Sequence, residues 1–155
     1  MPTHRHWPLA VHLSLLFGFS MLIFGLWMLP VLLVGYPYVL PSFHEQAQVF
    51  VDTGMLPTGS GRLATLIVWW LHSFMSWQNI IGWSAVSAAV FAAGLVPWWF
   101  SVWRIFDTKI AWLSTVILSL LPMYWIEALR LSGYSFALFF LFLGFALFLV
   151  LWPRS

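Results

Sequence analysis

The sequence predicts an all-helical integral membrane protein, and three observations carry that class. Of 155 residues, 63% are apolar, only 6% are Asp, Glu, Lys or Arg, and mean hydropathy is +0.95; soluble domains carry roughly 25% charged residues. So few charges cannot cover a water-soluble surface. The apolar residues gather into runs of crossing length, giving about four crossings of roughly 20 residues each and a single membrane domain over residues 1–155. The chain also has twelve Trp and four Tyr. Several Trp (Trp7, Trp77, Trp98, Trp99, Trp152) fall near the ends of apolar runs, where amphipathic rings prefer the headgroup level.

The first crossing is expected at about 9–29, with Pro30 interrupting its helix. No small-residue cleavage site follows its apolar core, which argues for a retained helix rather than a signal peptide. A long loop follows, over about 35–79. Pro37, Pro41 and Pro57 break it, and Gly54, Gly59 and Gly61 loosen it. One surface helix is expected inside, over about 43–53. Ser42 caps it, Glu45 completes the capping box, and Gly54 ends it in a left-handed conformation. Phe43, Ala47, Phe50 and Val51 form its apolar face, opposite Glu45, Gln48 and Asp52, so the helix would lie on the membrane. The apolar stretch 63–75 is short for a crossing and reads as interfacial or re-entrant.

The second crossing, 80–102, is rich in Gly, Ser and Ala, which let helices approach closely, so it should pack centrally. Arg104, Asp107 and Lys109 form a polar break. The third crossing, 110–127, is one that Pro122 can kink, and the fourth runs over 133–151. With this topology Arg5, Arg104, Lys109 and Arg154 share one side and Arg62 and Arg130 the other. The larger set should be cytoplasmic, with both termini, in a bacterial-type plasma membrane. The loop over 35–79 and the Glu127–Ser132 break then meet at the outer face.

Formal net charge is only +2 and dispersed, which sets nucleic acid aside as a partner. Cys is absent, excluding disulfides and thiolate metal sites. Candidate chemistry therefore rests on the outer face. Glu45 and Asp52, seven positions apart, can serve as a general base or help hold a divalent cation, or can be a capping residue and a solvated face. Arg62 and Arg130 offer forked donors to a phosphate, although Glu127 and Arg130 at i, i+3 can simply pair. His12 and His72 are the available pair for haem or a pigment, but the topology puts them at opposite ends of the membrane.

The order of features resembles the amino-terminal part of C-type-fold membrane glycosyltransferases. These use polyprenyl-phosphate sugars and include the dolichyl-phosphate-mannose and aminoarabinose transferases. The resembling residues are Phe43-His44-Glu45-Gln46-Ala47, running on to Asp52-Thr53-Gly54-Met55-Leu56-Pro57. Trp103-Arg104-Ile105-Phe106 follows, then Leu121-Pro122 through Glu127-Ala128-Leu129-Arg130-Leu131-Ser132-Gly133-Tyr134. The resemblance implies Glu45 as the catalytic carboxylate of the first outer loop, with His44, Asp52, Arg62 and Arg130 as substrate-binding residues and a divalent cation as the allowed cofactor. The chain has His44 where the family commonly has the first acid of an Asp-Glu pair, and Ser132-Gly133-Tyr134 where an Asp often follows the Arg. The family's enzymes carry further crossings, so a truncated module is expected. The alternative is a non-catalytic small subunit of a larger membrane complex that binds protein partners or pigments.

Overall fold

The computed structural model describes residues 9–34, 49–55, 62–74, 80–129 and 133–152. Among them every regular element is a helix: α1 (Leu9–Val34), α2 (Arg62–His72), α3 (Ile80–Ile105), α4 (Thr108–Leu120), α5 (Pro122–Leu129) and α6 (Gly133–Leu151), with a further helical turn at 49–53. An apolar solvent leaves no water for backbone groups, and helices satisfy those groups within one segment.

α1 and α3 are each 26 residues, or about 39 Å at 1.5 Å per residue, and both are long and apolar enough to cross a bilayer. A third crossing exists if α4 and α5, bent by 61° at a one-residue break, count as one span. α6 has 19 residues, and its apolar part, Phe136–Leu151, is shorter than the other spans. The outside of the bundle is hydrocarbon: Leu33 is 76% exposed, Leu113 62% and Leu151 80%, an arrangement suited to lipid rather than water.

Two sequence-based boundaries move. α1 continues through Pro30 to Val34 instead of stopping. Proline removes one backbone hydrogen bond, but a buried apolar helix tolerates it, and Val31 just beyond is packed to 1% exposure. α3 likewise passes through Pro97 and reaches Ile105, placing Arg104 in its last turn, where a cation faces the negative end of the helix dipole. The polar break therefore contracts to Phe106 and Asp107, and the Asp107 carboxylate caps α4 by accepting from the Ile110 N–H at 2.8 Å.

α3 is the central helix, touching α1, α4, α5 and α6. Its buried face is largely small, with Ser84, Ser87, Ala88, Ala92 and Gly94 between the large Trp83, Phe91, Leu95 and Trp99. Chain directions follow from the partners. Leu16 of α1 clusters with Trp99 and Val102, whereas Val31 clusters with Ala88, so α1 runs antiparallel to α3. Ala111 belongs with Trp99 and Tyr124 with Phe91, so α4 and α5 are antiparallel to it as well. Phe142 meets Trp98, and Phe139 faces Gly94 one turn back, so α6 runs parallel. Residues 34, 80, 129 and 133 consequently share one end of the bundle, and 9, 105, 108 and 151 share the other.

Of the surface helix expected over 43–53, residues 43–48 lie outside the described residues. Residues 49–53 are helical and close on Gly54 at φ 69°, with its N–H donating to the Phe50 carbonyl at 2.8 Å. This is the left-handed cap its sequence implies. α2, with 11 residues, covers about 16 Å and is too short to cross.

Two outcomes follow. Asp107→Ala removes the cap of α4 and should lower stability by about 1 kcal/mol in detergent, with Asp107→Asn close to the parent, read by thermal unfolding. At Gly94 an added Cβ would lie 3.4 Å from the Tyr124 hydroxyl, so Gly94→Leu should destabilise by about 1–3 kcal/mol while Gly94→Ala costs far less.

Candidate functional site: a cleft at a broken helix

Leu121 and Pro122 create the main internal feature. The pyrrolidine ring crowds the residue before it and drives that residue out of the helical region. Leu121 adopts φ −63°, ψ 124°, and its N–H turns back to the Leu118 carbonyl at 3.2 Å. Pro122 then starts α5 at the one helical position where a missing N–H costs nothing. The resulting bend turns α5 away from the line of α4.

A cleft of about 500 Å³ opens beside this break. Leu118, Leu121 and Met123 form one wall, and Phe91 of α3 and Leu138 of α6 the other. Tyr124 and Glu127 line it from α5. Met123 is 77% exposed and Leu121 is also exposed, so they stand at the mouth. Tyr124 holds the bend in place. Its hydroxyl donates to the Phe91 carbonyl at 3.1 Å, and its ring meets Phe91 edge-on at 4.7 Å and Trp27 at 5.7 Å. A smaller groove of about 190 Å³ lies between Leu26 and Trp27 of α1 and Leu120 and Trp125.

Glu127 is the one carboxylate among the described residues of the larger cleft. It is half-buried and also interacts within the chain. In a largely apolar cleft a carboxylate is costly to bury unless it is paired or hydrogen-bonded. The sequence offered Glu127 only as a partner for Arg130; the signal that could have singled it out was a lone acid five residues after a proline inside an apolar run.

Of the residues expected to form a site, His44, Glu45 and Arg130 lie outside the described residues. Asp52 is exposed on the helical turn 49–53, and Arg62 is exposed at the first position of α2. The edge-on contact of Phe50 with Trp69 at 5.8 Å draws these two short helices together. Among the described residues no three His, Asp or Glu side chains are grouped to hold a metal ion. His12 packs on Trp99 with ring centroids 5.7 Å apart, in an aromatic cluster where Trp99 also meets Trp103 and Trp112.

Restoring an ordinary residue at the break should relax the bend. With spin labels at the exposed positions 109 and 126, Pro122→Ala is expected to lengthen the inter-label distance measured by pulsed electron resonance; an unchanged distance would show that packing alone holds the angle. No protein-family model matches this chain, no curated protein matches it, and no solved structure matches it.

Proposed function

We propose that the chain is a membrane module that seats the hydrocarbon chain of a lipid-phosphate-linked sugar, similar to the amino-terminal core of a C-type-fold glycosyltransferase. The cleft beside the Leu121–Pro122 break carries this reading. It is apolar, is within the 300–1,000 Å³ range of small-molecule sites, and has one carboxylate in its lining. Its acidic end lies toward Leu129, at the same end of the bundle as Val34 and Ile80, the residues flanking the expected outer loop. A lipid whose chain lies in the cleft would thus present its head near that loop. There Glu45 assists the acceptor or a divalent cation, Arg62 and Arg130 neutralise the lipid phosphate, and His44 and Asp52 border the head group. The same proposal includes a four-crossing topology with α6 as the fourth span and both termini on the cytoplasmic side of a bacterial-type plasma membrane.

A second reading, a non-catalytic subunit of a larger membrane complex, is favoured by one observation. Gly18 and Gly25 are seven residues apart on the exposed side of α1, and a Cβ added at either would meet nothing within 4 Å. A helix from another chain can approach closely on such a face.

Sugar transfer from a polyprenyl-phosphate donor by purified protein distinguishes the two readings. The first expects transfer by the parent and a loss of at least about 100-fold in Glu45→Gln, in the range general-base catalysis supplies. Equal rates would remove Glu45 from the mechanism. No transfer by either, with a stoichiometric partner that leaves on Gly18→Leu or Gly25→Leu, would establish the second.

A further inference from the structure

We propose that the exposed side of α2 is a bilayer-docking surface, laid into the headgroup layer at the end of the bundle shared by Val34 and Ile80. The inference holds whatever the cleft binds. Leu66, Trp69, Trp70, Ser73 and Phe74 follow one another at spacings of three, one, three and one, which puts them on one side of the helix and of the turn that ends it. All five are exposed, Trp70 at 58% and Phe74 at 72%, whereas Thr65, off that side, is fully buried. A helix facing water would show the opposite arrangement.

The backbone and hydroxyl groups at the end of α2 are satisfied locally. The Ser73 hydroxyl donates to the Trp70 carbonyl at 2.6 Å, and the N–H groups of Ser73 and Phe74 turn back to the Trp70 and Leu71 carbonyls at 3.2 and 3.0 Å. The neighbouring helical turn closes in the same way, with the Thr53 hydroxyl donating to the Val49 carbonyl at 2.6 Å and accepting from the Met55 N–H at 3.2 Å. Ends closed like this can enter an apolar layer without leaving these groups bare. Phe50, expected on the lipid-facing side of the turn, is half-buried and meets Trp69 edge-on, so the turn braces α2.

Chain length favours lipid over a soluble partner as the occupant. Phe74 precedes Ile80 by six residues, a reach of at most about 20 Å, and α3 begins there at the same end as the exposed Leu32, Leu33 and Ile81. The rings of α2 are thus tethered near the level where indoles prefer to sit, with the apolar body among acyl chains and the N–H among headgroups. An interfacial helix of this kind sinks about 5–10 Å into that boundary.

The chain has no Cys, so single spin labels can be introduced at chosen positions. The test places them at Leu66→Cys and Ser73→Cys in the full chain, in zwitterionic nanodiscs holding one copy each, with labels at Leu22 of α1 and Lys109 as lipid and water references. Collision with oxygen, which concentrates among acyl chains, is compared with collision with a soluble nickel chelate. Both α2 labels should favour oxygen, as the Leu22 label does. The pair Trp70→Ser and Phe74→Ser should shift the label at 66 to the Lys109 value and leave the Leu22 label unchanged, while Trp70→Phe keeps the label at 66 in lipid. Labels at 66 and 73 that meet nickel as freely as the Lys109 label put this side of α2 in water and overturn the proposal. It is equally overturned by labels shielded from both reagents, which would show the side covered by protein, or by a label at 66 that stays in lipid in the double Ser variant.

Discussion

The structure depends on how closely other helices can approach α3. In lipid, apolar surface gains nothing by leaving one hydrocarbon environment for another, so association rests on packing and on contacts between surfaces that fit. α3 supplies such a surface through Ser84, Ser87, Ala88, Ala92 and Gly94, set between large side chains that fill the remaining space. α1, the broken α4–α5 pair and α6 all pack on this one helix. A bulky residue at Gly94 would meet the Tyr124 hydroxyl and the Phe139 and Phe142 rings together, so three helices register on that position.

Three buried hydroxyls bond within their own helices, whereas among the described residues those of Ser20 and Ser84 meet no hydrogen-bond partner. Thr115 donates to the Ala111 carbonyl at 2.7 Å, Ser101 to Pro97 at 2.7 Å and Ser119 to Val116 at 2.8 Å. Each bonds within its own helix, which lets small polar residues serve as spacers without leaving an unsatisfied group in hydrocarbon. The break at Leu121 differs, because proline removes both a donor and the helical option for its neighbour. The structure accommodates the break by bracing Tyr124 against Phe91 and Trp27, and the bend that results is what opens the cleft.

A single feature thereby links the fold to the proposed chemistry. The bend provides an apolar seat, the adjoining turn brings one carboxylate into it, and the helix directions put that carboxylate at the same end of the bundle as the segment between α1 and α3. The glycosyltransferase-like reading uses this geometry.

The sequence by itself determined the helical membrane class, because 6% charge cannot clothe a soluble surface, and it determined the central place of α3, because small residues along one helix permit close approach. It also determined the left-handed cap at Gly54, a local steric matter, and marked Pro122 as a place where the third crossing can kink. Only the tertiary structure decided that α1 passes through Pro30 and α3 through Pro97, where surrounding packing outweighs one lost hydrogen bond. Tertiary structure likewise decided that Glu127 faces a cleft built with Phe91 and Leu138, residues 36 and 11 positions away in the chain. Spacing along one helix cannot reveal a wall contributed by two others, so that site was visible only once the helices had been packed.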